Sequence, residues 1–172
     1  CGLSEARNAG LAELVRQGVP DTAVVAFPDD DCTYPVGIER RALQHLAECD
    51  IVLGTYDESL PAAPPPPRPL RMTDIYRHGN SVGIFTTLGV VREAGGFDTR
   101  LGVGSGDVAA AEDIELLARC LDRLSVQGVL DLGLVVQHPR SAGDPARSGA
   151  YLAVAVRYWR HRESWVRIIR TV

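Results

Sequence analysis

The sequence predicts an α/β domain in which a mostly parallel sheet is flanked by helices. Two short apolar runs, residues 23–26 and 51–53, have the composition of strands that are buried on both faces. A segment with helical spacing of its apolar residues lies between them. Because strand–helix–strand units join parallel strands, we expect the two runs to be parallel neighbours. The 172 residues are enough for one such domain with a buried core.

Two helices and two strands are expected in the first third of the chain. Ser4 is the expected N-cap of a helix over residues 4–17, and Pro35 can open a second helix that reaches about Cys49. The strands are expected at 22–27 and 50–54. The apolar side chains expected to face the core from the two helices are Leu11, Leu14, Val15, Leu43 and Leu46.

A proline-rich segment, residues 61–69, interrupts this alternation. It cannot form a helix or a central strand, so it predicts an extended polyproline loop on the surface. A spacer is the simpler interpretation, and a docking motif for a protein partner is the alternative. The elements expected after this loop are strand 81–87, helix 88–94, a glycine-rich loop at 95–106, helix 111–124 and strand 129–136.

The predicted domain covers residues 1–140, and residues 141–172 form a C-terminal part. Residues 141–149 are expected to be a loop, and the chain from about 147 onward an amphipathic basic helix. Packing of its apolar face on the domain is the simpler interpretation, and an interfacial helix on an anionic membrane is the alternative. The apolar face comprises Tyr151, Val154, Tyr158, Trp165, Ile169 and Val172, and the basic face Arg157, Arg160, Arg167 and Arg170.

Composition and charge restrict the function classes. The net charge of −4 argues against a general nucleic-acid-binding protein. The four cysteines show no paired spacing, which favours a reducing cytoplasmic location over a disulfide or metal framework. No apolar run approaches the ~20 residues of a membrane span. The expected location is therefore cytoplasmic, with peripheral contact at the inner face of the membrane through residues 151–172 as an alternative.

The densest group of candidate functional residues is the aspartate cluster, Asp29–Asp31, directly after the first predicted strand. Three adjacent carboxylates repel one another unless a cation or backbone donors compensate them. Oxygen ligands of this kind suit Mg²⁺ or Mn²⁺, ions that commonly accompany phosphates. A solvated turn stabilised by aspartate side chains is the alternative.

Two further candidates lie at the ends of predicted elements, where α/β proteins build their sites. Glu112 and Asp113 open a helix after the glycine-rich loop. They either complement the helix dipole or supply a general base. His138 follows the last predicted strand, where it is either a structural histidine or a metal ligand or phosphate contact.

In chain order these features resemble glycosyltransferase family 2, whose members have the Rossmann-like GT-A fold. The resemblance extends over residues 1–139 and implies a metal-dependent, inverting transfer of a sugar from a nucleotide-diphospho-sugar to a hydroxyl group. The stretches that carry it are Gly2 to Leu11, Phe27-Pro28-Asp29-Asp30-Asp31, Gly95-Gly96-Phe97-Asp98, Ala111-Glu112-Asp113-Ile114-Glu115-Leu116 and Val135 to Pro139.

The resemblance implies a role for each matching residue. A divalent ion, Mg²⁺ or Mn²⁺, would neutralise the departing diphosphate, and one carboxylate would deprotonate the acceptor hydroxyl. By role, the family pattern implies Asp31, Asp29 and His138 for the metal, Arg7, Asp29 and Asp30 for the nucleotide donor, Asp113 as the catalytic base, and Glu112, Gly95, Gly96 and Asp98 on the acceptor side.

The expected partners follow from this resemblance: a nucleotide-diphospho-sugar donor and a carbohydrate or lipid-linked acceptor, as in cell-envelope polysaccharide synthesis. A complete family member starts with a βαβ unit that precedes the first helix found here. We therefore expect an N-terminally shortened chain that lacks part of the nucleotide pocket, and inactivity of this fragment by itself is compatible with the resemblance. A nucleotidyltransferase of related architecture and an inactive carbohydrate-binding or interaction module are the alternatives.

Overall fold

The computed structural model describes residues 1–57, 63–105, 108–139 and 145–158, and it shows an α/β fold. A five-stranded open sheet lies at the centre, with helices packed against it. The strands are β1 (Val24–Ala26), β2 (Ile51–Asp57), β3 (Arg68–Pro69), β4 (Ile84–Thr87) and β5 (Gly128–Gln137). The helices are α1 (Leu3–Arg16), α2 (Ile38–Leu46), α3 (Met72–His78), α4 (Leu88–Ala94), α5 (Glu112–Arg123) and α6 (Pro145–Arg157).

The sheet is mixed, which corrects the expectation of a mostly parallel sheet. In the described residues the strand order is β1-β4-β2-β5-β3, and β2–β5 is the one parallel pairing. The expected parallel neighbours β1 and β2 do run in the same direction, but β4 lies between them and is antiparallel to both. Strand–helix–strand spacing indicates the direction of two strands, and it carries no information about a later strand inserted between them.

Alternate residues of β2 divide the core between the two faces of the sheet. Ile51 and Leu53 belong to the larger apolar cluster, which includes Ile114 of α5. Val52 belongs to the smaller cluster, where it meets Ala42 of α2. Because strand side chains alternate between faces, these memberships place α2 on one face and α5 on the other.

A bulge with three additional residues interrupts β5. Leu53 pairs with Leu130 and Thr55 pairs with Val135, so the four residues 131–134 stand opposite Gly54 alone. Gly54 must be a glycine here, because a Cβ atom would lie 2.4 Å from the carbonyl oxygen of Leu134. The three extra residues invert the alternation of β5, so Leu130 packs in the larger cluster and Leu134 in the smaller one.

A buried charge cluster stabilises this bulge against α2. The side chain of Asp131 is fully buried and accepts two hydrogen bonds from Arg41, at 2.5 and 2.9 Å. It also lies 2.9 Å from Nε2 of His45 and accepts the backbone N–H of Gly133. Burial alone would raise the pKa of Asp131, but these hydrogen bonds hold it below its ordinary value. The carboxylate is thus fully compensated, as a buried charge must be.

Helices α1 and α2 differ in detail from the expectation. Gly2, not Ser4, is the N-cap of α1, and the Glu5 carboxylate accepts its backbone N–H at 3.0 Å. Ser4 lies within the first turn, where its hydroxyl donates to the carbonyl of Leu101. Val15 and Leu43 were expected to be buried but are 41% and 52% exposed. Each lies one position beyond the residues that pack, so the expected apolar stripe was drawn too wide.

The described part of the proline-rich segment agrees with the prediction of a surface loop. Residues 63–67 are exposed and form neither helix nor strand. The last two residues of the segment instead form the edge strand β3, which pairs with β5. Residues 61 and 62 lie outside the described part of the chain. Helix α3 has no counterpart in the sequence prediction. Its seven residues are too few for an apolar period to be recognised.

Helix α6 begins at Pro145, so residues 145–149 are helical where a loop was expected. Its apolar face packs on the domain, since Val154 and Tyr158 are both 3% exposed. The predicted face residues from Arg160 onward lie outside the described part of the chain, so the membrane alternative stays a prediction there. Among the described helices, none has the length and hydropathy needed to cross a bilayer.

Candidate functional site

The aspartate cluster, His138 and the start of α5 meet at one edge of the sheet. Strands β1, β2 and β5 run in the same direction, so the segments after their carboxyl ends share that edge. The aspartate cluster follows β1 and His138 follows β5. Helix α1 adds Arg7 and helix α5 adds Glu112, which are joined by an ion pair. Four separate parts of the sequence thus form one site.

Arg7 is the central cation of this site. Its side chain is only 8% exposed, and it donates to Asp29 at 3.0 Å and to Glu112 at 3.1 Å. Its guanidinium also lies 5.3 Å from the centre of the Phe97 ring, within the range of a cation–π contact. The planar guanidinium therefore holds two carboxylates from different elements in fixed positions.

His138 connects the aspartate cluster to the end of β5. Its Nε2 lies 3.0 Å from Asp31 Oδ1 and 3.7 Å from Asp29 Oδ2, and its Nδ1 lies 2.6 Å from the carbonyl oxygen of Pro139. Both ring nitrogens face oxygen acceptors, although a neutral imidazole carries a single N–H. An imidazolium satisfies both contacts, and so does a cation bound between Nε2 and the carboxylates. The second arrangement is typical of a metal-binding histidine that is oriented by a carbonyl group.

The start of α5 combines backbone strain with adjacent carboxyl groups. Ala111, the N-cap residue, is buried and has a φ of 71°, a left-handed conformation that is uncommon for alanine. Strained backbone of this kind clusters at functional sites. The side chain of Asp113 accepts the backbone N–H of Ile114 at 2.7 Å and stays partly exposed towards a pocket.

The two adjacent carboxyl groups have different environments. Loss of hydration, together with the negative charge of Glu112, raises the pKa of Asp113 to about 6. Glu112 has the guanidinium of Arg7 as its direct partner, whereas Asp113 has no ion pair with another residue of the described ranges. Environments that separate two carboxyl groups in this way distinguish the one that exchanges a proton near neutral pH. The raised pKa makes Asp113 the candidate for that group.

Several of these side chains line a shared pocket of about 160 Å³, whereas Arg7 and Asp31 are not part of its lining. Its polar wall includes Asp29, Glu112, Asp113 and His138. Sequence reasoning missed the rest of the lining, because small and aromatic residues carry no recognisable signal of their own. Those residues are Leu3, Tyr56, Gly79, Asn80, Ser81, Val82, Val103, Ala109, Ala110, Ala111 and Tyr151.

Asp30 and the expected acceptor-side loop do not line this pocket. Asp30 is exposed next to the cluster. Gly95 caps the carboxyl end of α4 with a φ of 84°, and Gly96 gives room to the side chain of Asn8. Asp98 pairs with Arg100 and Arg157, whose guanidinium groups hold the pKa of its carboxyl well below the usual range. In this structure the loop joins α1, α4 and α6.

The fit of a metal ion to these residues depends on what accompanies it. Within the described ranges, no three His, Cys, Asp or Glu side chains are arranged to bind an ion by themselves. Asp31 and His138 offer an oxygen and a nitrogen ligand 3.0 Å apart, and Asp29 Oδ2 lies nearby. Mg²⁺ is commonly held by one or two carboxylates plus substrate phosphates. The donor set therefore fits an ion whose coordination a phosphate completes.

The fold and the geometry of the site thus describe a polar pocket beside an aspartate–histidine cluster, at the sheet edge where α/β proteins bind ligands. In comparison with known proteins, no family model matches the sequence, and no curated protein aligns with it significantly.

Proposed function

We propose that this chain is part of a GT-A-like glycosyltransferase of family 2, which transfers a sugar from a nucleotide-diphospho-sugar to an acceptor hydroxyl group with inversion. The observation that carries the proposal is the meeting of the aspartate cluster, His138 and Asp113 at one sheet edge. Two functions that such a transfer needs, diphosphate neutralisation and proton removal, would then be supplied by groups of one site, which His138 and Asp113 both line.

Asp31 and His138 would hold the divalent ion, with Asp29 beside them. When bound, Mg²⁺ or Mn²⁺ supplies positive charge that stabilises the departing diphosphate. Asp29 is oriented by Arg7, which binds its Oδ1 and leaves Oδ2 facing His138. Arg7 therefore prepares the cluster for a ligand and also reduces the repulsion between its carboxylates.

Asp113 would accept the proton of the acceptor hydroxyl. Its pKa of about 6 keeps it ionised at neutral pH while leaving it more basic than an ordinary aspartate. The negative charge of Glu112 raises that basicity, and the hydrogen bond from Arg7 holds the Glu112 side chain in place. A single base acting on one attacking hydroxyl gives direct displacement, and direct displacement inverts the anomeric centre.

The first experiment measures nucleotide binding. Isothermal titration of the 172-residue chain with UDP, GDP and TDP, each with and without Mn²⁺, is expected to show Mn²⁺-dependent binding of one of them. Asp31→Ala removes a proposed metal ligand and should weaken that binding at least about tenfold. Glu93→Ala, which removes an exposed carboxylate from α4, is the matched control. Equal Mn²⁺-dependent affinity in Asp31→Ala and the parent chain would reject the metal site.

The second experiment measures transfer. Asp113→Asn keeps the size of the side chain but removes the base, so turnover should fall about 10²- to 10⁴-fold. Mn²⁺-dependent nucleotide binding should stay within about twofold of the parent chain. Turnover is followed by release of the nucleoside diphosphate from the donor that binds. Unchanged turnover in Asp113→Asn would show that another group is the base.

A further inference from the structure

The pocket lining also includes apolar side chains that the proposed chemistry does not use. Tyr151 of α6 lines the pocket together with Leu3, Val103 and the alanines 109–111. These side chains are aromatic or aliphatic, whereas polar side chains of the same pocket lining are those of Asp29, Glu112, Asp113 and His138. A site with one apolar wall and a few convergent polar groups is built for a ligand that has both kinds of surface.

Helix α6 is fixed relative to α5, which carries Asp113. Tyr158 donates its hydroxyl to Glu115 Oε1 at 2.7 Å, and the Glu115 side chain is fully buried. Tyr151 lies seven residues before Tyr158, two turns along the same face of the helix. The bond between Tyr158 and Glu115 therefore ties the end of the helix that carries Tyr151 to the helix that carries Asp113.

The charge and size of the pocket limit the ligand. Its lining contains three carboxyl groups, Asp29, Glu112 and Asp113, and Arg7 is already bound to two of them. A negatively charged ring would be repelled by Asp113, whereas hydroxyl groups can donate to it. At about 160 Å³ the pocket is smaller than the roughly 300–1,000 Å³ typical for drug-sized ligands. These limits match one neutral, hydroxyl-bearing ring with an apolar face.

We propose that Tyr151 binds the acceptor, by stacking against the apolar face of a neutral sugar ring and directing one of its hydroxyl groups to Asp113. The identification of this ring as the acceptor rests on the proposed function, but ring binding itself does not. Tyr151 is then a specificity-determining residue. A flat aromatic surface favours sugars that present several C–H groups on one face, and the carboxylate favours a donor hydroxyl at the ring edge.

Saturation-transfer NMR tests this with the methyl glycosides of glucose, galactose, mannose and N-acetylglucosamine, each with and without Mn²⁺ and the nucleotide that binds. At least one glycoside should bind, and Tyr151→Ala should weaken it about tenfold. Tyr151→Phe keeps the ring and should bind within about twofold of the parent chain. Leu152→Ala, a more exposed neighbour on the same helix, is the matched control. Thermal unfolding of each variant confirms that it is folded.

The outcomes separate this inference from the proposed function. If no glycoside binds, or if Tyr151→Ala binds as well as Leu152→Ala, the inference is overturned whether or not nucleotide binds. If a glycoside binds through Tyr151 while no nucleotide binds with Mn²⁺, the stacking site stands and transferase activity of this chain is rejected. The chain would then be a carbohydrate-binding module.

Discussion

At the scale of single residues, Asp113 shows how neighbouring groups of the same kind acquire different properties. Asp113 and Glu112 are adjacent in the chain, and Glu112 has a guanidinium partner while Asp113 faces the pocket. The ionised form of Asp113 is disfavoured by lost hydration and by the charge of Glu112. A basic carboxylate of this kind reduces the stability of the fold, which gives a test independent of activity.

Asp113→Asn should stabilise the protein at pH 7 by roughly 1–3 kcal/mol. The carboxyl has a pKa of about 6 in the folded chain against an ordinary value of 3.8. Between these values the folded state binds more protons than the unfolded state, so the stability of the parent chain falls as pH rises from about 4 to 6. Asparagine does not titrate, so the gain is full above about pH 6 and absent near pH 3.5.

Urea unfolding at a series of pH values from 3.5 to 8 measures this gain. Glu93→Gln is the control, because it removes an exposed carboxylate. A stability difference between Asp113→Asn and the parent chain that does not change with pH would contradict the raised pKa.

The sequence pointed to the charged residues that meet at this edge of the sheet, and it did so through residue type rather than geometry. Charged groups at element ends, such as the aspartate cluster and His138, are recognisable because a buried strand rarely ends in them by chance. The role of Arg7 as a bridge between Asp29 and Glu112 required the fold, since 105 residues separate Arg7 from Glu112. Tyr151 was expected on the apolar face of a helix, where most aromatic residues pack in the core.

At the scale of elements, the joint between α1 and the loop after α4 depends on one glycine and one amide. Asn8 accepts the backbone N–H of Phe97 at 2.8 Å and donates to its carbonyl at 2.9 Å. Gly96 has a φ of 74°, and a Cβ atom there would lie 2.6 Å from Asn8 Oδ1. This loop therefore uses glycine for close approach and for backbone conformation together.

Gly96→Ala should destabilise the chain by roughly 1–3 kcal/mol, because it strains the backbone and displaces the amide of Asn8. Gly10→Ala is the matched comparison within α1, where a Cβ atom would meet nothing within 4 Å. Alanine is the better helix former, so this second variant should be more stable by roughly 0.5–1 kcal/mol. Urea unfolding followed by circular dichroism measures both changes. Changes of the same sign would contradict this account of the loop.

Element prediction succeeded where the local signal was strong. Helix α4 was expected at 88–94 and is found at Leu88–Ala94, and α5 differs from its prediction by one residue at each end. The short helix α3 was missed, and α6 begins earlier than expected. The inward side of α2 was also misjudged, because the tertiary packing of Ala42 decides which residues face the sheet.

At the scale of the whole molecule, strand order was the main feature that the sequence could not supply. The insertion of β4 between β1 and β2 is a long-range pairing with no local pattern. The α/β class survives this change because each strand keeps its apolar character whichever neighbour it has. The site survives too, since β1, β2 and β5 still end at one edge.

The bulge of β5 has a consequence for the placement of His138. An unbroken strand would send residues 130, 134 and 136 to the same side, and the three additional residues reverse the side for everything downstream. Asp131, which is hydrogen-bonded to Arg41 and His45, thus belongs to the bulge that reverses which face of the sheet each later side chain of β5 occupies. In a related chain without the three additional residues, the histidine would have to be shifted by an odd number of residues along the strand to contact the residue equivalent to Asp31. The bulge and the position of the histidine should therefore be gained or lost together.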